Sequence, residues 1–336
     1  MEKSRIGKSY QVKHKKAVEH YLETGNRFIL LRRWREDVTN LWVERYFSDV
    51  DVAKLTNNRY NCITNYRKEL YFSIYDVETG KTKRYEKIGY VASLSTEQHF
   101  SGASLLDVDI IIFEEFMERG SYIPNEPDKL MFFYSTVDRK RGTTKLYMVG
   151  NTISRVCPYI KTWGLDTILK RMKQGDIEKK VIHNESNDVT IAIEYCKSSG
   201  GKTMAIGNAS SSIDKGAWQT MPQPKLKKSK NEYSVCYRIG FFYKGFKYLG
   251  ELLYDKEDGS TCWFVYPYYK EFEKNIFIFS DVVKQGYYWN RNIYDNHIKN
   301  EKVRNILSTF SESNLFFSDD LCGTEFKEVI DFSIKR

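Results

Sequence analysis

Two stretches carry residue types that could do chemistry together: Gly7-Lys8-Ser9, and Ile110-Ile111-Ile112-Phe113 running into Glu114-Glu115. Glycine, lysine and a hydroxyl at a helix start form the second half of a phosphate-binding loop. Backbone N–H groups and the lysine meet phosphate oxygens, and the serine hydroxyl meets Mg2+. Taken alone, the tripeptide also suits an exposed basic tail, and the first glycine of the full GxxxxGK[ST] pattern is replaced by Glu2. The four apolar residues 110–113 read as a buried parallel strand with two carboxylates at its carboxyl end, where open α/β sheets place their ligands. In phosphoryl chemistry the first acid, Glu114, holds the metal through water, and the second, Glu115, polarises the attacking water. A core strand followed by a solvated acidic helix start would have the same residues. Asn151, after the strand Lys145–Val149 and Gly150, stands where it could meet a γ-phosphate or attacking water, or simply make a turn.

These residues need a scaffold. Val12, Ala17, Val18, Tyr21 and Leu22 fall at helical spacing, and Thr24-Gly25 is a stop. Phe28-Ile29-Leu30-Leu31 suits a buried strand, with Arg32-Arg33-Trp34-Arg35 after it. Residues 71–75 and 88–94 flank the turn signal Glu78-Thr79-Gly80-Lys81 and read as adjacent strands. A helix over 128–137 precedes the strand Lys145–Val149. This rhythm predicts an α/β domain with a mainly parallel sheet over residues 1–198.

At 336 residues and 41% hydrophobic content the chain can bury two cores, and its net charge of +9 favours a polyanionic partner. Six scattered cysteines without a CxxC pair point away from a zinc ribbon or a disulfide framework, and fit a reducing compartment. No apolar run is long enough for a bilayer, so no membrane role and a cytosolic location are expected.

Composition changes over 199–226, where Ser198-Ser199-Gly200-Gly201, Ser210-Ser211-Ser212, Pro222 and Pro224 read as a linker. A second domain, 227–336, is strand-rich and aromatic, with closing helices near 300–309 and 324–332. At its entrance Lys225, Lys227, Lys228 and Lys230 precede Tyr233, Tyr237, Phe241 and Phe242, a mixture suited to nucleic-acid contact, or to a hairpin with solvated lysines. Its first strands offer too few converging acids for a metal nuclease.

Gly7-Lys8-Ser9-Tyr10, Phe28-Ile29-Leu30-Leu31-Arg32-Arg33-Trp34, Ile112-Phe113-Glu114-Glu115-Phe116, Ser121-Tyr122-Ile123-Pro124-Asn125-Glu126, and Asn151 followed by Pro158-Tyr159 resemble the DNA encapsidation ATPases of small tailed phages. The resemblance spans residues 1 to about 165. It implies an additional-strand P-loop ATPase, with ATP and Mg2+ as cofactors. ATP would lie on Arg5, Ile6, Gly7, Lys8, Ser9 and Tyr10, the metal on Ser9 and Glu114, and catalysis on Glu115 and Asn151. It implies a ring, pentameric in that family, that drives double-stranded DNA into a procapsid in the host cytoplasm, working with a portal and a structural prohead RNA. It also implies a ribonuclease-H-like carboxyl-terminal domain without its nuclease site. By position Arg139 matches the family's arginine finger, acting on a neighbour's ATP, with Arg141 its close competitor. Glu2 and Arg5 depart from the family's glycine-rich loop, and no strand precedes it, so either the natural start lies upstream or another strand takes that place. A nucleic-acid-binding scaffold with a degenerate nucleotide site is the rival reading. A small-molecule kinase fits less well, because no acceptor lid is evident.

Overall fold

The computed structural model describes residues 7–96, 105–118, 122–183, 188–197, 220–289 and 314–334, with 301 and 310. The chain divides into two compact units: Met1–Glu118 with Tyr122–Asn151, and Arg119–Ser121 with Thr152–Arg336.

The first unit is built on a six-stranded sheet in the order β2-β3-β4-β1-β5-β6. Its strands are β1 (Arg27–Arg32), β2 (Cys62–Tyr66), β3 (Glu69–Asp76), β4 (Lys81–Ser93), β5 (Val108–Glu114) and β6 (Lys145–Val149). β4, β1, β5 and β6 run parallel, and β2 and β3 join antiparallel at one side. Parallel strands covered on both faces carry continuous apolar runs. Accordingly Phe28, Ile29, Leu30 and Leu31 of β1, and Ile111, Ile112 and Phe113 of β5, are wholly buried.

The opening helix starts at Gly7, is α-helical over Lys8–Gln11, widens into a π stretch over Val12–Glu19 and closes as α-helix over His20–Thr24. Gly25, at φ 74°, ends it in the left-handed conformation that glycine adopts without strain. Ala17, Val18 and Tyr21 pack on Phe28, Leu30 and Phe72. The widened turn carries Lys13 inward, where its Nζ donates to the Tyr46 carbonyl at 2.6 Å and pairs with Asp49. Helical periodicity alone does not distinguish such a stretch from an ordinary α-helix.

The second unit holds a six-stranded sheet in the order β13-β12-β9-β10-β11-β14 and a separate two-stranded ribbon, β7 (Ile177–His183) with β8 (Asp188–Glu194). β9 (Tyr233–Tyr243), β10 (Phe246–Asp255) and β11 (Thr261–Pro267) form an antiparallel meander. β12 (Phe277–Ser280) lies parallel to β9, β13 (Tyr288–Trp289) parallel to β12, and β14 (Asn314–Phe317) parallel to β11. The helix Asp320–Ile334 buries Cys322, Phe326 and Val329 in a core with Phe241, Tyr248 and Trp263.

The division after Asn151 falls earlier than the boundary drawn at 198, because Val156 joins this second core and Arg155 Nε pairs with Glu325 at 3.0 Å. Most of the 199–226 linker and the helix expected over 300–309 lie outside the described residues. The end of that linker is packed rather than loose. Met221 N donates to Thr324 Oγ1 at 2.9 Å, Phe317 N donates to the Pro224 carbonyl at 2.9 Å, and Gln223 is buried.

Candidate functional site

The helix start, the carboxyl end of β5 and the carboxyl end of β6 converge in the first unit. Lys8 Nζ donates to the Gly150 carbonyl at 2.8 Å, which sets the ammonium beside Asn151, an exposed residue. Ser9 Oγ donates to Glu114 Oε2 at 3.3 Å, and Tyr46 OH donates to Glu114 Oε1 at 2.6 Å. Tyr46 reaches the acid from the helix Asn40–Phe47, whose start Thr39 caps by accepting from Trp42 N. Tyr10 turns along its own helix, with its ring 5.3 Å from that of His14. Arg5 and Ile6 lie outside the described residues.

Two adjacent carboxylates have opposite surroundings. Glu114 is 5% exposed, and burial pushes its carboxyl above the ordinary glutamate range while the Tyr46 and Ser9 hydroxyls pull it back down. Burial, with Glu114 beside it, in turn pushes the Tyr46 phenol far up, so it stays a donor. Glu115 is exposed and takes a left-handed backbone at φ 56°. A non-glycine residue persists in that conformation where its surroundings hold it in place. The neighbouring strand does this. Arg32 Nη1 pairs with Glu115 Oε2 at 2.7 Å, and its guanidinium lies 4.9 Å over the Trp42 ring. Arg33, 3% exposed, donates Nε to both oxygens of Glu126 at 3.0 and 2.9 Å and Nη2 to the Phe116 carbonyl at 2.7 Å. Its Nη1 reaches the Glu115 carbonyl at 3.3 Å and Glu118 Oε2 at 2.6 Å. Arg33 thus pins the turn that presents Glu115 and the chain that follows it.

Arg32, Arg33 and Tyr46 were not picked out from the sequence as site residues. Arg32, the last residue of β1, and Arg33 just beyond it carried a signal, a pair of arginines directly after the apolar run 28–31. Tyr46 carried none, because only folding brings its helix to Glu114.

The donor set suits a hard divalent cation. A hydroxyl and a carboxylate, both oxygen donors, lie within hydrogen-bond distance of each other, and Mg2+ takes few protein ligands when phosphates and water supply the rest. No cluster of three or more His, Cys, Asp or Glu able to hold a metal occurs among the described residues, and this chemistry requires none.

The remaining sequence candidates separate by surroundings. Arg139 caps the helix Glu126–Asp138 at φ 48° and is exposed. Arg141 is committed to its own fold, since its guanidinium donates to the carbonyls of Leu106 at 2.6 Å, Val108 at 2.7 Å and Val137 at 3.0 Å. In the second unit Lys225 pairs with Asp320 at 3.2 Å, Lys228 with Asp255 at 2.9 Å and Glu257 at 2.6 Å, and Lys230 with Glu251. Lys227 is exposed and makes no ion pair among the described residues. The basic run is therefore largely occupied inside its own unit.

Taken together, the first unit is a mixed α/β fold that sets a lysine–serine helix start against a strand-end carboxylate. The chain belongs to the podovirus DNA encapsidation protein (Gp16) family, which it matches across residues 2–331. It is a phage DNA packaging protein. It is 25% identical over 330 residues, 95% of this chain and 91% of the relative, to a DNA packaging protein of Bacillus phage B103. Its fold is similar to a chain of the bacteriophage Phi-29 viral genome packaging motor assembly, with TM-score 0.55 and 18% identity over 98% of this chain and 92% of that one.

Proposed function

We propose that this protein is the Mg2+-dependent ATPase of a phage packaging motor, coupling ATP hydrolysis to translocation of double-stranded DNA into a procapsid. The observation that carries this reading is the meeting of Ser9, Glu114, Lys8 and the Gly150–Asn151 strand end at one edge of a parallel sheet. Lys8 would leave the Gly150 carbonyl for the β- and γ-phosphates, Ser9 and Glu114 would hold the metal, and Glu115 would accept the proton of the attacking water. The bound Mg2+ supplies charge neutralisation of the transferring phosphoryl. Arg32 holds Glu115 in place, and Asn151 would face the γ-phosphate.

Arg139 fits a neighbour's site better than Arg141 does, because Arg141 is consumed by carbonyls of its own unit. This supports a homo-oligomeric ring, pentameric by family resemblance, mounted on a portal with a prohead RNA in the host cytoplasm. In the second unit the order β11-β10-β9-β12-β13, with an antiparallel meander followed by parallel strands, supports the ribonuclease-H-like reading. Lys227 is the remaining candidate for nucleic-acid contact among the four lysines.

ATP turnover measured with and without Mg2+ and double-stranded DNA tests the reading. Mg2+-dependent turnover that rises with DNA is expected. DNA binding without turnover would replace the motor with a nucleic-acid-binding scaffold.

A further inference from the structure

The β2–β3 hairpin turns through two residues, Arg67 and Lys68, since Tyr66 pairs directly with Glu69. Both turn residues have positive φ, 51° and 66°, as in a type I′ turn. That turn favours Asn-Gly, because glycine and asparagine tolerate left-handed backbone and long side chains do not. Two long cations stand there instead. Neither forms an ion pair among the described residues, and both are exposed. The turn is nevertheless held in place, with Val91 N donating to the Lys68 carbonyl at 2.8 Å.

Cross-strand register adds a third cation. Ser73 pairs with Arg84, Tyr71 with Lys87 and Glu69 with Tyr90, which puts these residues on the sheet face that carries Tyr66. The Arg84 guanidinium lies 4.3 Å from the Tyr66 ring centre and that of Arg67 lies 5.2 Å from it. Tyr66 is 42% exposed, so the stacked cations remain open to water. Lys87 is excluded from the set, because Glu69 pairs with it at 3.0 Å. Arg84, like the turn residues, makes no ion pair among the described residues.

We infer that Arg67, Lys68 and Arg84 form a contact surface for the phosphate backbone of double-stranded DNA. The polyanion complements three clustered cations on a rigid hairpin. Tyr66 is already stacked with guanidinium groups, so it organises cations rather than offering its ring to an unpaired base, as a single-strand platform would. The surface therefore takes a duplex backbone without reading its sequence. This rests on the proposal that DNA is the substrate.

The experiment uses the full chain and a fluorescent duplex DNA, with affinity measured against KCl concentration. Arg67→Asn with Lys68→Gly removes two cations and installs the residues the turn prefers, so its melting temperature should equal or exceed that of wild type. The slope of log affinity against log salt should fall by about two in that variant, and by about three when Arg84→Gln is added. An unchanged slope in a stable variant overturns the surface, as does a loss confined to duplex RNA. Wild-type ATP turnover in the same preparation keeps the failures apart. Turnover with an unchanged slope sinks this surface alone, whereas no turnover sinks the motor reading beneath it.

Discussion

Ser9 Oγ and Glu114 Oε2 lie 3.3 Å apart although 105 residues separate them in sequence. A hydroxyl and a carboxylate from distant segments meet at the end of a parallel strand, and Tyr46 holds the carboxylate's other oxygen at 2.6 Å.

Tyr46→Phe should weaken the metal site without unfolding it. The phenol donates to Glu114, so its removal raises that carboxyl further and disfavours the ionised form that holds a cation. A hydrogen bond to a charged group contributes about 1.5–3 kcal/mol, so the Mg2+ half-saturation of turnover should rise on the order of tenfold. The acid limb of the pH profile should also move to higher pH. An unchanged Mg2+ requirement would make Tyr46 a packing residue.

Glu114→Gln should abolish turnover yet stabilise the ligand-free protein at neutral pH. The buried Glu114 carboxyl titrates above its unfolded value, so the wild type is most favoured at low pH and loses stability as pH rises through the folded value. The amide never ionises. Its melting temperature should exceed that of wild type by a few degrees near pH 8, the shift about 1 kcal/mol gives in a domain of this size. The advantage should vanish below the ordinary glutamate range. A variant no more stable than wild type at pH 8 would contradict the burial account.

Much of this site was legible in the sequence, and for a definite reason. Residues 28–31 and 110–113 are continuous apolar runs because both faces of their strands are covered, and the acids follow at once. The π stretch at Val12–Glu19 was not legible, because its apolar spacing resembles that of an α-helix. The helix Asn40–Phe47 was not legible either, because eight residues give only two turns of apolar spacing, Val43 with Tyr46 and Phe47. With it went Tyr46. The lysines at 225–230 look like an open basic run in sequence, and only folding brings Asp320, Asp255 and Glu251 against them.

Glu115→Gln should keep ATP affinity within a few-fold of wild type and lower turnover by at least about 100-fold, the scale of a lost general base. Its amide still faces Arg32, but it accepts no proton from water. Equilibrium binding of labelled ATP beside steady-state turnover checks this, and a parallel loss of affinity would recast Glu115 as structural.

Arg139 should act on a neighbouring subunit. Rings of Arg139→Ala alone or Lys8→Ala alone should be inactive. Mixed rings would contain some interfaces with an intact lysine facing an intact arginine, and should recover part of the activity. Verified mixed assemblies that recover none would remove Arg139 from this role.

The most direct measurement is Mg2+-dependent ATP turnover by the wild-type chain beside Lys8→Ala. Lys8 is exposed and, among the described residues, its ammonium donates only to the Gly150 carbonyl, so its loss should leave the fold intact while removing the positive charge that would meet the transferring phosphates. The account predicts turnover in wild type and none above background in the variant, at equal melting temperatures. Equal turnover in the two proteins would contradict it.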